Sequence, residues 1–422
     1  MRNTLLAVTL CLIQLMPQSC APKHVKSDIR ASAYPLITID PYTSAWSATD
    51  NLYDSHIQHW TGRDFPLEGV LVVDGTPYRF MGQDISSSVA AEQKSVDVQA
   101  TQTHYQFACG PVDLKLTFTA PLLLDRLDLV SRPVNYISYN VASNDGKKHD
   151  ISIRFCATGA WAAHLPSQKV TMEEMEQDGL VYLKAGTEEQ NILGRKGDSV
   201  CIDWGYFYLC AEKEGTAVRT DSTVMTLERH PGTCTKCRGK VMAGYDDIYS
   251  VQYFGENLRP YWNRNGDSSI RQQFQAANDE YESLMKECER FDCKLMADAT
   301  GAGGRKYAEL CALAYRQAIA AHKLVEAPNG DLLWLSKENN SNGSIGTVDV
   351  TYPSAPLFLL YNPELAKGLL NHIYYYSESG KWTKPFPAHD VGTYPLANGQ
   401  TYGGDMPVEE AGNAITLTAA IC

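Results

Sequence analysis

The sequence predicts a two-part fold, an N-terminal antiparallel β-sandwich followed by an incomplete toroid of helical hairpins. Residues 35–254 hold many short apolar runs separated by turn residues, which is typical of a two-sheet sandwich. After residue 263, apolar residues recur at steps of three and four, as on one face of a helix. Short and very long loops alternate between these segments. This pattern favours hairpins in a ring, with a ligand site where the long loops meet.

The β part rests on two hairpin signals. Residues 70–73 run into Asp74-Gly75, and residues 136–141 are followed by Asp145-Gly146. Residues 112–118 alternate strictly between apolar and polar, as a half-buried strand does. We expect further strands at 180–183, 201–210 and 250–254. The predicted division is a signal segment at 1–20, an arm with the first hairpin at 21–80, the β-sandwich at 81–262 and the partial toroid at 263–422.

Four helices are predicted in the second part. The first is capped by Asp267 or Ser268 and continues to about Phe291. The others are expected at 306–325, at 363–375 and from Pro407 to the last residue. The last has no stop signal, so we expect a truncated toroid that lacks its C-terminal part. Its apolar helix faces would be uncovered, and the isolated fragment should be prone to aggregation.

The net charge and the N-terminal sequence limit the possible partners and the cellular location of the protein. The 37 basic and 49 acidic residues give a net charge of −12, which argues against nucleic acid and anionic membranes as partners. A charged start and an apolar run over 5–16 predict a secretory signal. Cys20 at its end is typical of a lipoprotein signal, with ordinary cleavage near Ala21 as the alternative. We expect an exported protein, periplasmic or at the cell surface, with a lipid anchor at Cys20.

The candidate site lies in two loops, 334–353 and 374–413. The second is long and rich in aromatic residues, Gly and Pro, which indicates an ordered, functional loop. Carboxylates in separate loops suit acid–base hydrolysis of a small polar substrate. The predicted catalytic residues are Asp349, Asp405, Glu409 and Glu410. The predicted substrate-binding residues are Trp334, Asn340, Tyr352, Trp382, His389, Asp390 and Tyr402.

Alternatives to this interpretation exist for each acid. Any one of them alone is better explained as a helix cap or salt-bridge partner. Glu409 and Glu410 are adjacent, so in a helix they point ~100° apart and only one can face the site. Cys234 and Cys237 form a C-x-x-C without a second ligand pair, which favours a local disulfide or a plain loop over a metal site. We expect no metal and no cofactor.

Five segments, 35–42, 59–62, 346–353, 375–380 and 403–410, resemble the glutaminase A family of fungi and gut-type bacteria. The resemblance covers the chain from the arm to the last loop. It implies a β-rich domain before an (α/α)6 six-hairpin toroid similar to those of glycoside hydrolases, with members continuing beyond position 422. It also implies hydrolysis of the side-chain amide of L-glutamine. The family pattern has Cys-Gly-Asn after the paired Glu, whereas this chain has Ala411-Gly412-Asn413, which argues against a nucleophilic Cys there.

The residues themselves leave three functions open. These are an amidohydrolase such as a glutaminase, a glycoside hydrolase that uses the same carboxylates, and a non-catalytic carbohydrate-binding surface protein. No Ser/Lys or Cys/His nucleophile stands out. In the amidohydrolase hypothesis Glu409 or Glu410 activates water, and Asp349 or Asp405 protonates the departing ammonia.

Overall fold

The computed structural model describes residues 24–83 and 88–422. The predicted signal segment and Cys20 lie outside the described residues and stay predictions. Within those two ranges no helix is both long and apolar enough to cross a bilayer.

The described residues form strands over most of the first 260 positions and a few beyond. In chain order these are β1 (Tyr34–Thr38), β2 (Ser44–Ser47), β3 (Gln58–His59), β4 (Leu67–Val73), β5 (Thr76–Met81), β6 (Val89–Ala90), β7 (Glu92–Val98), β8 (Gln102–Cys109), β9 (Val112–Thr119), β10 (Val134–Ser143), β11 (His149–Thr158), β12 (Val170–Gln177), β13 (Leu180–Thr187), β14 (Tyr206–Glu212), β15 (Thr216–Thr220), β16 (Val224–Cys234), β17 (Lys236–Asp246), β18 (Val251–Tyr253), β19 (Glu256–Leu258), β20 (His322–Glu326), β21 (Leu332–Ser336) and β22 (Leu396–Ala397).

The predicted β-sandwich is confirmed. One sheet has eight strands in the order β12-β13-β14-β17-β10-β9-β8-β7, and the other has six in the order β15-β16-β11-β4-β5-β6. The first hairpin, β4–β5, turns on Asp74 and Gly75, both with positive φ, as a two-residue hairpin turn requires. This hairpin lies in the six-stranded sheet, where β4 pairs with β11. The predicted domain bounds stay predictions.

The helices fill most of the remaining chain. They are α1 (Leu127–Ser131), α2 (Ile270–Gly303), α3 (Arg305–Ala320), α4 (Val348–Tyr361), α5 (Pro363–Gly368), α6 (Asn371–Glu378) and α7 (Pro407–Ile421), with 3₁₀ turns at Gly159–Ala162 and Tyr261–Asn263. Ser269 caps α2 through a capping box with Gln272, one residue later than the sequence predicts.

Three predicted helices differ from the structure. The first extends beyond Phe291 to Gly303. The second ends at Ala320 instead of residue 325, because β20 pairs with β21 in a hairpin. The third is divided into α5 and α6 at Leu369-Leu370.

The two predicted loops are shorter than expected. Helix α4 begins at Val348 and continues past Pro353 and Pro356, because Val348, Ala355 and Phe358 are buried and packing outweighs the helix-breaking tendency of proline. Helix α6 extends to Glu378, so the second loop spans 379–406.

A buried ion cluster joins the arm, the sandwich and the helical part. The Lys323 ammonium on β20 lies 2.6 Å from Asp40 Oδ2, in the turn after β1, and 2.7 Å from Asp247 Oδ2, just after β17. All three side chains are at most 8% exposed. Burial would lower the pKa of Lys323, but the charges of Asp247 and Asp40 raise it overall. The lysine is therefore held charged between two carboxylates.

Replacing Lys323 with Met should lower the free energy of unfolding by about 3–5 kcal/mol, because two buried carboxylates lose their counter-charge. The measurement is urea denaturation followed by circular dichroism. The control is Lys367→Met, which removes an exposed pair with Glu364 and should cost less than about 1 kcal/mol. Equal, small losses in both variants would contradict a structural role for the cluster.

Candidate active site

Two loops meet at the first turns of α4 and α7. The loop after β21 and the loop before β22 are joined by backbone hydrogen bonds: Ile345 N–H donates to Gly392 O at 3.0 Å, and Val391 N–H donates to Ile345 O at 3.1 Å. Val348 N–H, at the start of α4, donates to His389 O at 3.0 Å. These bonds fix the His389 backbone against the helix that carries Asp349.

Asp349, His389 and Glu410 come together at this point. His389 Nε2 lies 3.9 Å from Asp349 Oδ2 and 3.8 Å from Glu410 Oε1. One ligand atom from each residue lies within 4.8 Å of the other two. The distances from the nitrogen exceed hydrogen-bond range, so the three groups surround a space without contacting each other directly.

His389 is oriented by its neighbours. Its Nδ1 lies 2.9 Å from Asp390 Oδ2, and its ring stacks on Tyr402 at 4.2 Å between centroids. Asp390 is fully buried, and its carboxylate accepts hydrogen bonds from the backbone N–H groups of Gly392 and Thr401. Since an ionised carboxylate accepts only, we assign the Nδ1 proton to the bond with Asp390, which leaves Nε2 toward the cluster.

The buried carboxylates are poorly compensated. Glu410 is 0% exposed, and neither of its carboxylate oxygens has a hydrogen-bond partner among the described residues. Burial, followed by the charge of Asp349, raises the pKa of Glu410 to about 8. Burial also raises the pKa of Asp349. Burial would lower the pKa of His389, but Asp390, Asp349 and Glu410 raise it overall. Perturbed groups of this kind cluster at functional sites.

Five of the predicted site residues are brought together: Asp349, His389, Asp390, Tyr402 and Glu410. Their predicted roles stay predictions. Glu410 is the inward member of the predicted Glu pair, and Glu409 is exposed. Tyr352 is 41% exposed, one turn after Asp349 on α4.

The other predicted residues lie apart from the cluster. The Asp405 carboxylate is paired with the Lys384 ammonium, which lowers its pKa and makes it a poor proton donor. Trp334 is 2% exposed in the core, stacked on His322. Trp382 packs on Tyr376.

The same holds for Asn340, which is an exposed loop residue. Its N–H donates to Asp198 Oδ1.

Glu338 is a residue that the sequence prediction missed. It is half-buried, accepts a hydrogen bond from the Thr347 hydroxyl at 3.3 Å, and contributes to the raised pKa of Asp349. Its position in the first loop, two residues after β21 and eleven before Asp349, was the available signal.

The comparisons with known proteins fit this architecture. Residues 304–422 match the glutaminase A six helical-hairpin domain. Two domains of unknown function, DUF4964 at 6–89 and DUF5127 at 101–230 and 212–298, match the preceding part. The chain thus combines a β-rich part with helices that match the six helical-hairpin domain of glutaminase A, and the predicted resemblance to the glutaminase A family is confirmed.

Two curated relatives align with nearly all of this chain. Glutaminase A of Aspergillus oryzae is 26% identical over 441 residues, which cover 93% of this chain and 63% of the relative. A probable glutaminase of Arthroderma benhamiae is 22% identical, covering 96% of this chain and 54% of the relative. The chain therefore spans less than two thirds of the length of either relative.

The structure comparison also matched a putative kojibiose phosphorylase from the human microbiome and a family GH92 alpha-mannosidase from Bacteroides thetaiotaomicron. The match to the phosphorylase has a TM-score of 0.45 at 11% identity, and it covers 82% of this chain and 47% of the phosphorylase chain. The match to the mannosidase has the same TM-score and identity, and it covers 93% of this chain and 54% of the mannosidase chain.

Gly346 lies in the segment that leads into α4 and Asp349, and its backbone packs closely against His372. Its φ is +67°, its carbonyl lies 3.1 Å from His372 Nε2, and an added Cβ would lie 2.3 Å from that nitrogen. His372 is fully buried, so it has little room to move. A side chain at position 346 would therefore displace the segment that leads into α4.

We expect Gly346→Ala to lower the free energy of unfolding by about 1–3 kcal/mol more than Gly380→Ala, because overpacking adds to backbone strain. Gly380 has a similar φ of +74° with no atom within 4 Å of an added Cβ, so it isolates the strain alone. Chemical denaturation of both variants measures the difference. Equal losses would show that His372 yields freely.

Proposed function

We propose that this protein hydrolyses the side-chain amide of L-glutamine to glutamate and ammonia. The observation that carries the proposal is the cluster of Asp349, His389 and Glu410 in a chain that resembles the glutaminase A family. The two relatives bear the names glutaminase A and probable glutaminase. The cluster supplies two carboxylates and an imidazole around a common space, which is equipment for moving protons to and from a small polar substrate.

Amide hydrolysis needs two proton transfers. The oxygen of a water molecule attacks the amide carbon while a carboxylate takes its proton. The carbon–nitrogen bond then breaks, and the nitrogen leaves as ammonia after receiving a proton from a carboxyl group. We assign these transfers to Asp349 and Glu410, whose carboxylates lie 3.9 and 3.8 Å from His389 Nε2. Glu409, being exposed, and Asp405, paired with Lys384, are not placed for either step.

A glycoside hydrolase is the second candidate, and one observation favours it. The ligand oxygens of Asp349 and Glu410 lie at most 4.8 Å apart, which is nearer to the ~5–5.5 Å between the carboxyl groups of retaining glycosidases than to the ~6.5–9.5 Å of inverting ones. Tyr402, stacked on His389 and 38% exposed, could present its ring to a sugar face.

The test is to incubate the protein, in its full natural length, with L-glutamine and with a panel of oligosaccharides. Release of equal amounts of ammonia and glutamate is the expected result. Release of sugar without ammonia would favour the glycosidase candidate, and release of neither product would count against both enzymes.

Glu410→Gln should reduce glutamine turnover by about 10²–10⁴-fold, because it keeps the side chain's size and removes a proton-transfer group. Asp349→Asn should have a similar effect. Glu409→Gln is the matched control, one residue away and exposed; it should leave turnover nearly unchanged. Steady-state ammonia release, with folding checked by thermal melts, provides the comparison. Small effects from all three would place the chemistry elsewhere.

A further inference from the structure

The charges of Asp349, His389 and Glu410 are not fully compensated by their contacts within the protein. Two carboxylates and an imidazole nitrogen point at one space, and Glu410 and His389 are at most 2% exposed. Both oxygens of Glu410 and the Oδ1 of Asp349 are buried without hydrogen-bond partners among the described residues. Leaving such groups unsatisfied is costly, so a positively charged partner would stabilise the arrangement.

We propose that Asp349, His389 and Glu410 bind a divalent transition-metal cation, with Zn²⁺ as the best-fitting ion. The proposal concerns the same site as the proposed function, but it rests on the geometry and not on the reaction.

The spacing of the ligand atoms suits a metal of this size. Zinc takes nitrogen and oxygen ligands at ~2.0–2.2 Å, so a tetrahedral site places its ligand atoms ~3.4 Å apart. The two distances from His389 Nε2 are 3.9 and 3.8 Å. Each carboxylate would have to move about half an ångström toward Nε2, and the two carboxylate oxygens, which lie within 4.8 Å of each other, would have to reach the same spacing to complete the coordination. Asp349 is half-buried on the first turn of its helix, where such a movement displaces little.

The orientation of His389 matches that of a metal-binding imidazole. Metal-ligating histidines almost always donate their second ring N–H to a carboxylate or carbonyl, which fixes the tautomer. Here Nδ1 faces Asp390 at 2.9 Å, and Asp390 is itself held by backbone N–H groups. In the neutral imidazole, Nε2 thus presents its lone pair to the space between the two carboxylates, where a metal cation could accept it.

The donor set distinguishes among cations. Imidazole suits zinc and other transition metals, whereas calcium and magnesium prefer oxygen ligands alone. Three protein ligands leave a fourth position for water or a substrate oxygen, as in catalytic zinc sites. Each carboxylate that binds through one oxygen keeps its second oxygen for the water that the proposed reaction needs.

The test is titration of the EDTA-treated, dialysed protein with ZnCl₂, followed by isothermal calorimetry, and with CoCl₂, followed by visible absorption. We expect one ion per chain for the wild type and for Glu409→Gln. Affinity should fall about 100-fold or more in Asp349→Asn and Glu410→Gln, because loss of a direct ligand costs at least as much as loss of an outer partner. Asp349→Asn changes a half-buried side chain and should fold even if Glu410→Gln does not.

Absence of zinc binding by folded wild-type protein would overturn the proposal. So would equal zinc affinity in the wild type and Asp349→Asn, with an unchanged cobalt spectrum. The two proposals fail separately, because zinc binding is measured without glutamine and glutaminase activity is measured by ammonia release. Zinc binding without ammonia release would support the metal site and count against the proposed function.

Discussion

The contact of Lys323 with Asp40 and Asp247 is the interaction on which the arrangement of the two domains depends. Its members come from the arm, the end of the sandwich and the first strand of the helical part. Moving three charges out of water is unfavourable unless the opposite charges are in contact. If one of these segments shifted alone, the buried charges on the other two would lose their partner. Because β20 pairs with β21, and β21 leads into the loop before α4, the same contact also fixes the base of the candidate site.

The sequence predicted the elements whose signals are local. The β4–β5 hairpin follows from Asp74-Gly75, and α2 follows from its apolar face and its N-terminal cap. The predictions from sequence failed where contacts between residues far apart in the chain determine the secondary structure. Residues 322–326 continue a helical pattern, yet they form a strand because β21 offers a hydrogen-bonding partner. Helix α4 contains two prolines that argue against a helix, and its apolar face is buried regardless. Local preference is a weak guide where packing provides the larger free energy.

The same distinction explains the site. Helical geometry predicts that only one of Glu409 and Glu410 points toward the site, and in the structure the buried residue is Glu410. The meeting of Asp349, His389 and Glu410 could not be predicted, since they are 40 and 21 positions apart and no local spacing links them. Trp334 shows the opposite error. An aromatic residue beside a polar loop resembles a ligand platform in sequence, but β21 directs it into the core against His322. Whether such a residue faces a ligand or the core depends on which face of the strand its side chain points to.

A buried, unpartnered Glu410 lowers stability, and the surrounding structure compensates for it. The loops on both sides of His389 are held by backbone hydrogen bonds to each other and to the start of α4, so the polar backbone there is satisfied even though the carboxylates are not. Strain that persists in this way is typical of functional sites, where the fold over-determines a geometry that its members would not adopt alone. A purely structural cluster would gain from placing a donor next to Glu410. The metal ion proposed above would supply such a counter-charge, beside a histidine already oriented by Asp390.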